Sequence, residues 1–353
     1  MSGAGRPTLE GDATMNTAMK TPAVSILMPV RNEEKHLRAA LASLSAQSFK
    51  DWELVTVDDG SVDATPEFLA RAAAADLRIR VLQTGGLGLV PALNLGLAAC
   101  RAELIARMDG DDVSHPARLA AQVAYLSDHQ EVGLLACSFQ HFPRHRVGMG
   151  MNGYERWQNA LLAHEEIAAD LFVESPFVHP SVMFRKGEIE RTGGYRDMGW
   201  PEDYDLWLRM AAAGTRFARL PATLFYWRER PERTTRTSPS YTQDAFRRCK
   251  LHHLLEGFLK DEREVILAGA GLEGRAWQRL LKEAGIRVAY WVDVDPKKIG
   301  RPLHGAPVLA TSELTRTGTK LLMTVGARGA RDVVRQTSQK AGFIEGIDAV
   351  CVA

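Results

Sequence analysis

The chain has 353 residues, 45% of them hydrophobic and 25% charged, an ordinary composition for a folded protein long enough for two or three domains. Forty-four Lys and Arg balance 43 Asp and Glu, and a formal charge of +1 excludes bulk binding to nucleic acid. The four cysteines stand far apart without a Cys-x-x-Cys pair, and no run approaches the roughly 18 apolar residues of a membrane span. These features predict a cytoplasmic protein with reduced thiols and neither a structural disulfide nor a zinc site.

Residues 1–21 are rich in Gly, Thr, Ala and Met and lack the apolar core of a signal peptide, so they read as a disordered leader, with Met15 or Met19 as alternative starts. Residues 24–30, Val-Ser-Ile-Leu-Met-Pro-Val, form a short strand rich in β-branched residues. Arg31 and Asn32 then open a helix in which Leu37, Leu41 and Leu44 recur at helical spacing, with Asn32 as its N-cap and Glu33 and Glu34 in its first turn. A second strand over 52–57 ends in Asp58-Asp59-Gly60-Ser61, and a helix follows over 66–75. A third strand, 78–82, leads through the turn Gly85-Gly86-Leu87-Gly88 to a helix that carries Asn94 and ends near Ala99.

The apolar run 103–106 then delivers Arg107-Met108-Asp109-Gly110-Asp111-Asp112, three carboxylates within four residues. Such a cluster at a strand-to-loop turn suits a hard divalent cation, Mg²⁺ or Mn²⁺, that would bridge to phosphate oxygens; alone it reads equally as an acidic turn capping the helix that starts near Pro116. Strand and helix alternate four times, the pattern of a parallel sheet covered by helices, whose ligands bind beyond the carboxyl ends of the strands. Pro29, Arg31, Asp58, Asp59, Gly86 and Asp109 to Asp112 all fall just past strand ends, so one nucleotide is able to touch all four loops. Taken alone, Asp58-Asp59-Gly60-Ser61 is also an ordinary turn.

Three runs, VSILMPVRNEE, VDDGSVDAT and ARMDGDD followed by HPARL, together resemble glycosyltransferase family 2, which has the GT-A fold. The resemblance covers residues 23–236 and implies an α/β fold with a mixed sheet and flanking helices. It also implies a nucleotide-diphosphate-sugar donor, a divalent metal, a hydroxyl acceptor on a glycan or lipid carrier, and inversion at the sugar carbon. By resemblance Pro29 and Asp59 line the nucleoside pocket, and Asp109 and Asp111 form the Asp-x-Asp pair, Asp111 being the favoured metal ligand. The donor-binding set becomes Pro29, Arg31, Glu33, Asp58, Asp59, Gly86, Asn94, Arg107, Asp109 and Arg230.

Further along, residues 122–126 continue a helix, 132–137 read as a strand, and 139–154 as a loop whose His141 and His145 lack a carboxylate partner in sequence. A helix is expected over 155–172, a strand entering the site over 177–185, and a turn at Gly193-Gly194-Tyr195. Pro201 starts a helix with Glu202 and Asp203 in its first turn, where the helix dipole favours carboxylates. A well-capped helix explains that much. The segment also resembles the family's Glu-Asp motif, which implies that Asp203 is the catalytic base, with Glu202 beside it.

After a strand over 224–227, many relatives carry a Tyr-Arg-x-His pattern; here Arg230 stands in the His place, which takes away a third protein metal ligand and offers a guanidinium to the diphosphate instead. Residues 228–250 hold seven Lys and Arg against Glu229, Glu232 and Asp244. That excess either meets phosphates of donor, acceptor or the inner membrane face, or is a solvated helix face.

A connecting helix is expected within residues 241–262, closing the glycosyltransferase domain at 22–240. Residues 263–353 read as a small Rossmann-like α/β domain: strand 264–268, then Gly269-Ala270-Gly271-Leu272-Glu273-Gly274 opening a helix, then a strand ending in Asp293, nineteen positions past Gly274. The glycines would let NAD or another nucleotide set its diphosphate on the helix N-terminus, with Asp293 on ribose hydroxyls; a structural or docking role is the alternative. The leading expectation is thus a metal-dependent inverting glycosyltransferase. A non-catalytic nucleotide-sugar-binding protein is the second reading, and a nucleotidyltransferase is disfavoured because Met28-Pro29-Val30-Arg31 stands where its Gly-rich loop would be.

Overall fold

The computed structural model describes residues 20–327 and 329–353. All of the expected leader except Lys20 and Thr21 lies outside the described residues. The first sheet contains β1 (Val24–Val30), β2 (Trp52–Asp58), β3 (Ile79–Gln83), β4 (Leu104–Arg107), β5 (Val113–Ser114), β6 (Val132–Phe142), β7 (Val182–Arg185) and β8 (Arg216–Arg228), in the order β3-β2-β1-β4-β7-β6-β8-β5. β3, β2, β1 and β4 run parallel, and β7 is antiparallel to both β4 and β6, so the sheet is mixed. Every residue of β1 and β2 is buried. Strands covered on both faces need apolar side chains on both, which is why these segments read as continuous apolar runs and not as alternation.

Glu53 is a carboxylate buried in the middle of that layer. It accepts hydrogen bonds from Ser25 Oγ at 2.7 Å, the Arg101 N–H at 2.9 Å, Arg101 Nε at 2.8 Å and Arg80 Nη1 at 3.2 Å. These bonds join β1 and β2 to the turn that feeds β4, and β4 delivers Arg107 to the carboxylate loop.

The structure departs from the sequence reading after β1. Asn32 is not an N-cap: it takes φ +55°, its N–H donates to Ser61 Oγ and its Oδ1 accepts from the Val62 N–H. Glu33 and Glu34 donate backbone N–H bonds to Thr65 Oγ1 and Asp63 Oδ2. The polar side chains of residues 58–65 therefore hold 31–36 as a loop, and the helix starts only at Leu37 (Leu37–Ser45).

The middle of the chain also differs. β6 extends to Phe142, and the expected 139–154 loop shrinks to a short connection before the Met149–Ala160 helix. His141 is buried and does have a carboxylate partner: Glu155 Oε2 accepts its backbone N–H at 2.8 Å and lies 2.9 Å from Nδ1. The helix expected over 155–172 is two helices, Met149–Ala160 and His164–Asp170, and the strand expected over 177–185 is a 3₁₀ turn (His179–Ser181) followed by β7.

A second sheet contains β9 (Glu264–Ala268), β10 (Arg287–Asp293), β11 (Pro302–Leu303), β12 (Ala306–Ala310), β13 (Lys320–Met323) and β14 (Ala349–Cys351), in the order β11-β12-β10-β9-β13-β14. All neighbours pair in parallel except the β11/β12 hairpin. The Gln243–Glu256 helix serves both sheets: Cys249 packs in the core that holds Trp207, and Leu254 in the core that holds Trp277. Between them, the buried Lys250 Nζ donates to the carbonyls of Val173 at 2.7 Å and Val352 at 3.2 Å. All four cysteines are buried and unpaired, and no helix among the described residues is long and apolar enough to cross a membrane.

Burial opposes ionisation of Glu53, but its hydrogen bonds outweigh burial and hold the carboxyl below its ordinary range. A depressed folded-state value contributes stability that is present above the unfolded value and lost as pH falls. Glu53→Gln is expected to lower the unfolding free energy by about 2 kcal/mol at neutral pH, with the gap from wild type closing below about pH 4. Urea unfolding followed by tryptophan fluorescence measures it, and a gap independent of pH would contradict this role.

Candidate active site

Beyond the carboxyl ends of β1, β2 and β4 lies a cavity of about 650 Å³. Pro29, Arg31, Glu33, Asp59, Arg107, Asp109, Asp111, Glu202, Asp203 and Arg230 all face it. Three residues read as donor contacts do not line it. Asp58 is buried and accepts the Ser61 N–H at 3.1 Å, closing its own turn. Gly86 packs its backbone against Gly60, and Gly88 lines the cavity in its stead. Both polar groups of the Asn94 amide are taken by Tyr195, Nδ2 donating to its carbonyl at 2.9 Å and Oδ1 accepting its N–H at 3.0 Å. Asn94 therefore pins the turn whose residues Gly193 and Gly194 have φ +82° and +70°.

At one end of the cavity the Asp59 carboxylate accepts from the Thr84 hydroxyl and, at 3.0 Å, from the Gly88 N–H, with Arg31 Nη1 at 3.3 Å. Its orientation is fixed before any ligand arrives. Deeper in, Asp109, Asp111 and Asp112 each place a carboxylate oxygen within 4.8 Å of the others. The spacing of Asp109 and Asp111 pointed to this cluster; the third member, Asp112, was not assigned a ligand role. Its Oδ1 accepts the Arg228 N–H at 2.7 Å, while Oδ2 is buried without a partner. Burial, followed by the charges of Asp111 and Asp109, pushes its carboxyl well above the ordinary range. Three hard oxygen donors, one of them orphaned, fit a Mg²⁺ or Mn²⁺ ion.

Arginines hold the cluster together. Arg107, itself buried, reaches Asp109 Oδ1 at 2.7 Å, and Arg230 binds Asp111 Oδ2 through Nε at 2.8 Å and Glu33 through Nη2. Burial and the Asp111 charge push Glu33 up to about 7 against the pull of Arg230. Arg230 thus stands against the carboxylates where the family pattern places a His.

The other positive charges of the 228–250 run also have partners within the chain. Arg233 and Arg236 pair with Glu229, Arg247 with Glu273 and Arg248 with Asp244, while Arg228 Nε donates to the Asp111 carbonyl. The run's charges are thus paired partly among themselves, through Glu229 and Asp244, and partly with Asp111, Glu33 and Glu273 outside it.

On another wall, Pro201 precedes the Glu202–Ala212 helix and puts Glu202 and Asp203 in its first turn. Glu202 Oε2 accepts the Tyr241 hydroxyl at 2.7 Å, and Oε1 lies 3.7 Å from His179 Nδ1, whose Nε2 is 2.8 Å from the Tyr195 hydroxyl. Burial disfavours the Glu202 charge, but His179 and Tyr241 outweigh it and hold the carboxyl below its usual range. Among the described residues Asp203 has no ion-pair partner. It keeps one side open to the cavity, its Oδ1 accepts the Tyr204 N–H at 2.7 Å, and burial followed by the Glu202 charge pushes it well above the ordinary range. Neither His179 nor Tyr241 was singled out as a site residue, since nothing local marks a contact between residues 39 positions apart.

In the second sheet, Asp293 lines a cavity and is held by the chain itself. Its Oδ2 accepts the Ala270 N–H at 2.8 Å and Lys298 Nζ at 3.0 Å, and Oδ1 accepts the Asp295 N–H at 2.8 Å, so it braces the glycine loop.

Residues 25–192 match the sequence model of glycosyl transferase family 2. The chain is 34% identical over 203 residues to the amylovoran biosynthesis glycosyltransferase AmsE of Erwinia amylovora, covering 57% of this chain and 74% of that one. It belongs to glycosyltransferase family 2. The same identity, 34%, holds over 246 residues of the Bacillus subtilis glycosyltransferase EpsE, covering 65% of this chain and 84% of that one. The fold resembles that of S. aureus TarS 1-349 in complex with UDP-GlcNAc, with a TM-score of 0.54, 18% identity, and coverage of 74% of this chain and 70% of that one. The first sheet is thus of the GT-A type, and the protein is a glycosyltransferase.

Asn94→Ala tests its reassignment from donor contact to turn support. Stability is expected to fall by about 1–2 kcal/mol through two lost hydrogen bonds, with the KM for donor unchanged. A raised KM at unchanged stability would restore Asn94 to the donor site.

Proposed function

We propose that this family 2 enzyme transfers a sugar from a nucleoside-diphosphate donor to a hydroxyl of a glycan or lipid-linked cell-envelope acceptor, with inversion and with help from a divalent cation. The supporting observation is that Asp203, from one wall, and Asp109 and Asp111, from another, open onto one cavity, with the buried Asp112 carboxylate beside the latter two. The name of the Erwinia relative, which places that protein in amylovoran biosynthesis, favours a polysaccharide setting, and TarS is a neighbour of the same fold with UDP-GlcNAc bound.

Pro29 and the braced Asp59 flank the nucleoside end, Asp59 offering acceptor oxygens to base or ribose hydroxyls. Asp109, Asp111 and Asp112 would hold a Mn²⁺ or Mg²⁺ ion, which would supply positive charge to the departing diphosphate. Arg230 is placed to exchange its ion pair with Asp111 for a bidentate grip on a phosphate oxygen pair. On the acceptor side Asp203 takes the hydroxyl proton as the new bond forms to the anomeric carbon. Its raised affinity for a proton suits that role, because a base poised nearer neutral pH retains the proton through the transition state. Glu202, fixed by Tyr241, contributes a charge beside Asp203 and touches no reacting atom in this scheme.

Release of nucleoside diphosphate from a panel of nucleotide sugars, with and without Mn²⁺, tests the proposal and names the donor. Asp203→Asn is expected to lower kcat about a thousandfold, and Asp111→Ala about a hundredfold with loss of metal stimulation. The acidic limb of the wild-type rate profile should lie above about pH 4, the ordinary carboxylate value, and Glu202→Gln should move it lower by removing the neighbouring charge. Full activity of Asp203→Asn would overturn the assignment.

A further inference from the structure

The second sheet has an opening of its own, a cavity of about 450 Å³ at the carboxyl ends of β9, β10 and β13. The chain begins this sheet at its centre with β9, moves outward on one side to β10 and β12, then crosses back to lay down β13 and β14 on the other. The strand order reverses between β9 and β13. At such a point the connections on either side leave for opposite faces, and the gap between them admits a ligand.

The glycines at the mouth of this gap have different reasons to be glycine. Gly269 has φ +110°, and a Cβ on Gly274 would lie 1.9 Å from the Gly269 carbonyl oxygen, so both are required by the turn and by the close packing of the Leu272–Glu283 helix on it. Gly271 is different: its φ of −85° suits any residue, and a Cβ there would meet nothing within 4 Å. The fold itself makes no use of its bareness. It leaves the backbone open to the cavity just where the first N–H groups of the helix lack intrahelical partners.

A second observation is independent of the loop. Leu272, Val294 and Val333 are 88%, 73% and 57% exposed, and all three line this one opening. Apolar side chains left in water around a cavity whose walls include Leu314 and Val325 suit a flat, weakly polar ring. Lys298, also on the lining, stands beside the glycine loop in an ion pair with Asp293, which lines the cavity too.

We infer that this crevice is a second nucleotide site, taking a nucleoside diphosphate with its phosphates over Gly271 and its base against the Leu272, Val294 and Val333 rim. A dinucleotide such as NAD, a nucleotide sugar and a free nucleoside diphosphate all carry that group. The site does not depend on the transfer chemistry assigned to the first sheet.

Calorimetric titration of the full chain with ADP, NAD⁺, UDP and UDP-GlcNAc tests it. The Asp111→Ala variant, with its transfer site weakened, is expected to retain one binding event per chain with at least one of these ligands. Gly271→Asp, which introduces a carboxylate into open space without backbone strain, should weaken that event by at least about tenfold while leaving donor hydrolysis at the wild-type rate. Preference for NAD⁺ over ADP would identify a dinucleotide, preference for UDP-GlcNAc over UDP a nucleotide sugar, and equal affinities the diphosphate alone. No binding at millimolar ligand in Asp111→Ala, or unchanged binding in Gly271→Asp, would overturn the inference.

Discussion

The site is organised by a repulsion. Asp109, Asp111, Asp112 and Glu33 converge in a partly buried cavity, where two like charges a few ångströms apart repel by several kcal/mol unless cations lie between them. The chain supplies those cations from two places, Arg107 at the end of β4 and Arg230 just beyond the end of β8, and the backbone N–H of Arg228 adds a hydrogen bond to Asp112. The need for compensation explains why the 228–236 segment lies over the cavity, and why its basic residues are paired inward. It also explains the orphaned Asp112 Oδ2: the guanidiniums satisfy Asp109 and Asp111 and leave the deepest carboxylate without a full partner.

The same constraint runs back to the first strands. The carboxylate loop is placed by β4, β4 is fixed beside β1, and the buried Glu53 fastens β1 and β2 to the turn at Arg101 that begins β4. Asp59 follows the other end of β2, so the two ends of the cavity are set by the parallel strands that flank β1 on either side. The opposite wall carries Asp203, without an ion-pair partner among the described residues and next to an ionised Glu202. On both walls burial among like charges makes a carboxylate hold its proton more strongly, Asp112 on one and Asp203 on the other.

The parallel half of the first sheet was legible in the sequence because its signals are local: continuous apolar strands, each ending in the polar residues that line the cavity. Asp109, Asp111, Glu202 and Asp203 could be picked out as candidates for the same reason. Where the reading failed, the deciding partner was remote. Asn94 was lost to Tyr195, 101 positions away, and His141 gained Glu155, fourteen away on a helix whose first turns read as a loop. Asn32 looked like a cap, but Ser61 and Val62 pull it into a positive-φ turn. Arg230 was noticed only as a departure from a family pattern, and its two carboxylate partners become visible once β8 is laid beside β5. In the second sheet the glycine fingerprint was local and readable, whereas the hydrogen bonding of Asp293 to the loop beneath it depends on packing that no spacing rule encodes.

We propose that the three aspartates form a seat for a cation shared with the donor diphosphate. Electron paramagnetic resonance of Mn²⁺ added to the protein with nucleoside diphosphate measures this directly. Wild type is expected to give a bound Mn²⁺ spectrum with phosphorus couplings, reverting to that of the ion and nucleotide in solution in Asp111→Ala and Asp112→Ala. A wild-type spectrum identical to the protein-free mixture, or a bound signal that both variants retain, would contradict it.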